Sequence, residues 1–321
     1  MIILNSFKEV SFDPRFALNV DKFDKNTDKI AVDKNAMLVG CIEAGKFQLF
    51  NVKKEFIWDL KGNFLRFIFM PKDARIWLVK KTDEANCELL VYDYERNLIA
   101  KEEFGEVISA DALVVMAPVG EAVAVEFDYG MDGSGGFLAQ LENGEIKILP
   151  YGENIFLSVL GGERALLMDN SENVAVIARI SDLKRLREIN FDETQLARAS
   201  DGDFLLNGII PLSDEIWLVT SVSFTKGYRH YVFDVANLRF IDEVAIEGFL
   251  PYPQKWGYER SDVTALKLAD GKIAAYWDKI TKNAAKKDES VEARSRYFTA
   301  DFASVKAQIL AAAKGKVSDE R

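Results

Sequence analysis

The chain has 321 residues, 49% hydrophobic and 29% charged, a balance that excludes intrinsic disorder and permits a large buried core. Its formal net charge of -10 disfavours nucleic acid and anionic membrane surfaces as partners, because both are held by neutralising Lys and Arg. Two cysteines, Cys41 and Cys87, are too few for a secreted disulfide scaffold and are expected as reduced, buried thiols.

The N-terminal run Ile2–Phe12 reads as a strand. It lacks a basic leading segment and its apolar stretch stops after Leu4, so it is not a signal peptide. No segment approaches the roughly 18 apolar residues that span a bilayer, and the cytoplasm is the expected compartment. From Lys29 onward, short apolar runs alternate with turn residues. Lys29–Asp33, Ala36–Glu43, Lys46–Val52 and Glu55–Leu60 form a first set of four strands, joined at Asp33-Lys34-Asn35, Ala44-Gly45 and Lys53-Lys54. A second set is Phe64–Met70, Arg75–Lys80, Cys87–Asp93 and Leu98–Phe104. The third is Val107–Ala110, Val114–Phe127, Gly136–Leu141 and Glu145–Leu149, with Asn143-Gly144 as a hairpin turn. Ile155–Leu160, Arg164–Asp169, Val174–Ile180 and Arg185–Phe191 make the fourth. Phe204–Ile210, Glu215–Ser221, Tyr228–Val235 and Arg239–Ile246 make the fifth. Val263–Ala269, Lys272–Trp277 and Arg296–Phe302 supply three strands of a sixth, whose missing strand Ile2–Phe12 is expected to provide.

Two segments break this rhythm. Gly248–Asp262 reads as a loop between sets, and the polar Lys282–Ser295 as an exposed loop or solvated helix. After Phe302, the alanine-rich stretch predicts a short helix over 303–315, capped by Ser304 and stopped at Gly315.

Antiparallel four-strand sets recurring every 40–55 residues or so match the repeat length of propeller blades. One such sheet cannot hide both apolar faces alone, whereas stacking sheets around an axis buries both and closure removes the edges. The third strands carry related endings, Gln48-Leu49-Phe50-Asn51-Val52, Leu90-Val91-Tyr92-Asp93-Tyr94 and Tyr231-Val232-Phe233-Asp234-Val235. The pattern resembles the β-propeller superfamily of WD40-like proteins with degenerate repeats. Trp58-Asp59 and Trp277-Asp278 are present, but on different strands of their sets, and the single His230 cannot supply a repeated Gly-His. The expected fold is all-β, a single β-propeller over 1–321 with six or seven four-stranded blades. The resemblance implies a ring whose loops bind a protein or a small ligand, and carries over no family residues.

Chemical motifs are few. Gly40–Lys46 matches most of a phosphate-binding loop, but Phe47 stands where Ser or Thr would hold magnesium, so a hairpin is expected. The stretch Asp128-Tyr129-Gly130-Met131-Asp132-Gly133-Ser134-Gly135-Gly136 fits a flexible hairpin loop, with Asp128 and Asp132 as candidate calcium ligands. His230, inside a strand, is expected to be a structural or surface residue rather than a catalytic one. Tyr252, Trp256, Tyr258 and Arg260 are the candidate partner-binding patch, since Trp, Tyr and Arg dominate interface hot spots. Two functions follow: a non-catalytic propeller that recognises a protein partner through loops on one face, or a hydrolase- or lactonase-type propeller enzyme with a metal at its central channel.

Overall fold

The structure, a computed structural model, describes residues 1–10, 30–33, 35–82, 86–105, 113–128, 134–152, 154–169, 172–196, 204–223, 227–247, 259–263, 267–269, 271–282 and 291–318. The N-terminal run holds β1 (Ile2–Leu4) and β2 (Lys8–Val10). The first sheet is β3 (Ile30–Asp33), β4 (Leu38–Glu43), β5 (Lys46–Asn51) and β6 (Phe56–Leu60), and the second is β7 (Asn63–Met70), β8 (Arg75–Lys81), β9 (Asn86–Asp93) and β10 (Leu98–Gly105). The third is β11 (Leu113–Val119), β12 (Ala122–Asp128), β13 (Ser134–Glu142) and β14 (Glu145–Gly152). The fourth is β15 (Ile155–Leu160), β16 (Arg164–Asp169), β17 (Val174–Arg179) and β18 (Arg185–Asn190). The fifth is β19 (Leu205–Pro211), β20 (Ile216–Ser223), β21 (Gly227–Asp234) and β22 (Arg239–Ile246). The sixth contains β23 (Glu259–Val263), β24 (Lys267–Ala269), β25 (Lys272–Lys282) and β26 (Val291–Asp301), and helix α1 (Phe302–Ser318) follows.

The chain divides into two compact units. One comprises Phe23–Val159 and Arg179–Lys184 and carries the first three sheets. Its middle strands explain its packing. In β8, Ile76 and Leu78 enter one core cluster with Phe47, Leu49 and Phe67, while Trp77 and Val79 enter another with Leu89, Val123 and Phe137. A strand alternates its side chains between two faces, so a continuous apolar run such as Ile76–Val79 is what a sheet covered on both sides requires. Truncating one of these side chains, for example Leu89→Ala, costs about 2–5 kcal/mol.

The other unit comprises Met1–Lys22, Leu160–Ala178 and Arg185–Arg321. Its core joins Leu218, Val232 and Val244 of the fifth sheet to Ile273 and Phe298 of the sixth and to α1. Val305, Ile309 and Ala313 recur every four residues, so they form the single stripe by which α1 docks.

Several expectations are corrected. The N-terminal run is not one strand of the sixth sheet. β2 does close that sheet, pairing antiparallel with β26 (Lys8↔Thr299), but β1 adds a parallel strand to β22 of the fifth (Ile2↔Val244). Val114–Phe127 is two strands, because Gly120 takes φ 65 and reverses the chain after Val119. The polar stretch 282–295 is in part strand: Glu292–Ser295 pair with Asp278–Thr281 on β25. Glu259–Asp262, assigned to a loop, belong to β23, which pairs with β25. Helix α1 starts at Phe302, with Asp301 rather than Ser304 as its cap: Asp301 Oδ1 accepts from the Ser304 amide and hydroxyl at 2.8 Å each. These bonds hold the Asp301 carboxyl below the usual carboxylate range. Gly315 does not stop the helix, which runs to Ser318. Val107–Ala110 lies outside the described residues. Neither cysteine forms a disulfide; Cys87 is buried, whereas Cys41 is only half-buried, its thiol pushed up by burial and by Glu43.

Candidate functional site

The sequence-predicted residues divide by where they lie. Tyr252, Trp256, Tyr258 and Asp132 are outside the described residues. Arg260 is on β23 opposite Ile280, and Asp128 ends β12 opposite Ser134, so the glycine-rich stretch connects two hairpin strands. Gly40–Lys46 is the β4–β5 hairpin, turning at Ala44 (φ 49) and Gly45 (φ 76). Gly40 is there for packing: a Cβ would sit 2.5 Å from the Phe67 ring. His230 is buried in β21, its Nδ1 3.0 Å from Thr220 Oγ1 and its Nε2 without a hydrogen-bond partner among the described residues. Burial, with Arg229 adjacent, lowers its pKa to about 4. It is a structural histidine held neutral.

The most distinctive surface lies on β6. Within this unit the first strands β3, β7 and β11 lie against one another, which leaves the last strands at the outside. On β6 the register slips: Leu49 opposes Trp58, but Phe50 opposes Phe56, so Ile57 is an extra residue at a bulge. One inserted residue changes the parity of the strand. Trp58 stays in the core against Phe47, with ring centroids 5.5 Å apart, while Phe56 turns to the outward face and meets Phe50 edge-on at 5.8 Å. Phe56 (56% exposed) and Ile57 (42%) are left in solvent together with Met37 (56%) and Val52 (39%). The Val52 amide donates to the Met37 carbonyl at 2.9 Å, so the two turns carrying these residues are joined.

The turns are rigid. Asn51 Oδ1 accepts from the amides of Lys53 (2.9 Å) and Glu55 (3.0 Å), and its Nδ2 donates to Glu55 Oε2 at 2.6 Å. Asp33 Oδ1 accepts from the amides of Asn35 and Ala36 at 2.8 and 3.2 Å, fixing the turn that ends in Met37. The other oxygen of this buried carboxylate takes a short hydrogen bond from the Tyr94 hydroxyl, and the Tyr94 carbonyl accepts from Trp58 Nε1 at 2.8 Å. Asp33, Tyr94 and Trp58 thus clamp both turns to the second sheet. Burial, and then Asp33, push the Tyr94 hydroxyl far above the usual phenol range, so it stays a donor.

Exposed lysines flank the apolar residues of β6 in the sequence. Lys53, Lys54 and Lys61 are exposed, and Lys46 pairs with Asp59. That Lys46 hydrogen bond holds the Asp59 carboxyl below the usual range, with Arg96 and Lys61 near enough to add to it. Residues 44–63 carry four lysines and two carboxylates, a local excess of two positive charges on a chain of net charge -10. Met37, Val52, Phe56 and Ile57 were given no binding role from sequence. The available signal was Lys53-Lys54 next to Phe56-Ile57 in a last strand.

A concavity of about 260 Å³ is lined by Glu188, Asn190, Glu193, Gln195 and Leu238, among others. Glu188 is already paired with Arg185 at 2.9 Å.

No protein-family model matches the chain, and no curated protein does. Among solved structures it is similar to a crystal structure of the eukaryotic initiation factor, with a TM-score of 0.52 and 9% identity over 87% of this chain and 68% of that one. It is also similar to a chain of the mitotic checkpoint complex (TM-score 0.46, 9% identity, 92% of this chain and 82% of that one). BamB from Moraxella catarrhalis gives a TM-score of 0.44 at 9% identity, over 92% of this chain and 99% of that one. At such identities the likeness speaks to fold alone. The six meander sheets and the initiation-factor match together show a β-propeller fold, with no specific family identified.

Proposed function

We propose that the chain is a protein-recognition propeller that contacts its partner through the surface around β6. One observation carries this reading: Met37 and Val52, on two joined turns fixed by Asn51, Asp33 and Tyr94, are exposed, as are Phe56 and Ile57 at the start of the adjoining β6. Clustered exposed apolar side chains mark interaction sites more often than scattered ones. A preorganised surface also loses less entropy on binding.

The test is affinity capture from the native cell with wild type, Phe56→Lys and Ile57→Lys. Partners of wild type should be lost from both variants at unchanged melting temperature. Retention of every specific partner would sink the reading. The Tyr252, Trp256, Tyr258 and Arg260 patch is a second proposed contact, tested in the same experiment with Trp256→Ala and Tyr258→Ala. Calcium at Asp128 and Asp132 stays a proposal, checked by a calcium-dependent melting shift that Asp132→Ala abolishes. Among the described residues, no helix is long and apolar enough to cross a membrane.

A further inference from the structure

We propose that β6 receives an extended, acidic segment of the partner chain as an added strand. This rests on the β6 surface being the contact site, and it specifies what binds there and how.

The first argument comes from comparing last strands. An open sheet edge is a template for pairing, and proteins blunt it with charge, proline or a covering segment. In this chain β10 carries exposed Lys101, Glu102 and Glu103. β14 carries exposed Glu145, Lys147 and Pro150, and β18 exposed Arg185, Arg187 and Glu188. β22 is covered by β1. Among the described last strands of these five sheets, β6 is the one that opens with two exposed apolar residues, Phe56 and Ile57. That apolar opening sets β6 apart, although it too carries a charge, Asp59, and a bulge at Ile57.

The second argument is a precedent in the same molecule. β1 shows that a last strand of this fold can accept one more. Its three residues pair in parallel with Val244, Ala245 and Ile246, burying Ile2 and Leu4 while Ile3 remains exposed. An added strand on β6 would likewise place alternate apolar residues against the protein, here beside Phe56 and Phe50. Strand addition is a common mode of peptide recognition, with main-chain bonds giving affinity and alternate side chains giving specificity.

The third argument is charge. Lys53 and Lys54 stand at the start of β6 and Lys61 at its end, so a segment lying along it meets cations at both ends. Acidic residues flanking an apolar centre complement that arrangement. Such charges mainly raise the association rate and exclude wrong partners.

The experiment selects short random peptides displayed on phage against the full chain. Enriched peptides should alternate apolar residues and carry Asp or Glu at their flanks. Lys53→Glu with Lys54→Glu should weaken them roughly tenfold, in line with two exposed charge contacts reversed. On binding, the amides of Phe56–Leu60 that face away from β5 should exchange with deuterium more slowly.

Enrichment of basic or uncharged peptides, or equal competition by a single-stranded oligonucleotide, overturns the proposal. So does peptide binding that leaves the β6 amides unprotected, since that is side-chain docking. If no peptide is enriched but native partners still depend on Phe56, strand addition fails while protein recognition stands. If native partners also ignore Phe56, both fail.

Discussion

Asn173 offers a sharp test of how the sheets are joined. It sits just before β17 in left-handed backbone (φ 56) and is buried. Its Nδ2 donates to Asp192 Oδ1 (2.9 Å) and to the Phe204 carbonyl (3.1 Å), and its Oδ1 accepts from the Leu206 amide at 2.7 Å. Its carbonyl also accepts from the Phe191 amide at 3.0 Å. One side chain therefore ties a turn of the fourth sheet to the entry of β19. Asn173→Ala leaves the buried Leu206 amide without an acceptor, a cost of about 1–3 kcal/mol, and removes the charge-assisted bond to Asp192, about 1 kcal/mol more. It also places a Cβ without local hydrogen bonds in left-handed backbone, about 1 kcal/mol. The sum is about 3–5 kcal/mol, or a melting shift of about 4–8 °C. Asn173→Gly loses the same bonds without the backbone strain, so it should be the milder change by about 1 kcal/mol. That reverses the ordinary order, in which alanine is the more stabilising residue. Urea denaturation of the three proteins measures the series. Alanine equal to or better than glycine, or either variant within about 0.5 kcal/mol of wild type, refutes the argument.

Three further outcomes are expected. His230 is held neutral with a pKa lowered to about 4 from 6.5, so its contribution is complete above pH 6.5 and is lost as pH falls toward 4. The loss is about 3 kcal/mol, and His230→Asn should flatten that part of a stability–pH curve measured by denaturant titration. Gly136→Ala drives a Cβ to within 2.5–2.6 Å of the buried Tyr151 ring and should cost about 1–3 kcal/mol. Adding Tyr151→Leu should recover at least about 1 kcal/mol of it in a double-mutant cycle. Phe56→Lys should change stability by less than about 0.5 kcal/mol in the same assay, because the ring is mostly in solvent.

Strand identity was legible where short apolar runs met turn residues that force a reversal, as at Ala44-Gly45. It failed where a turn sat inside an apolar run: Gly120-Glu121 separates β11 from β12, yet residues on both sides are equally apolar. The helix cap was misread because Asp301 and Ser304 are three residues apart and both suit the position; only geometry shows that one accepts from the other. The β6 surface was hidden for a different reason. Phe56 and Trp58 share parity, so a regular strand buries both, and the bulge at Ile57 that separates them leaves no local mark in the sequence. The clamp that steadies it joins Asp33 and Tyr94 across 61 residues, a distance no short-range pattern spans.

The divided N-terminal run has a consequence for assembly. Lys8 finds its place beside Thr299 and Ile2 beside Val244, so these residues must wait for segments far along the sequence before they can pair. Contacts this distant in sequence are the slow ones to form. Until β22 and β26 form, β1 and β2 have no strand to pair with, and their open backbone is a template to which a neighbouring chain can stick.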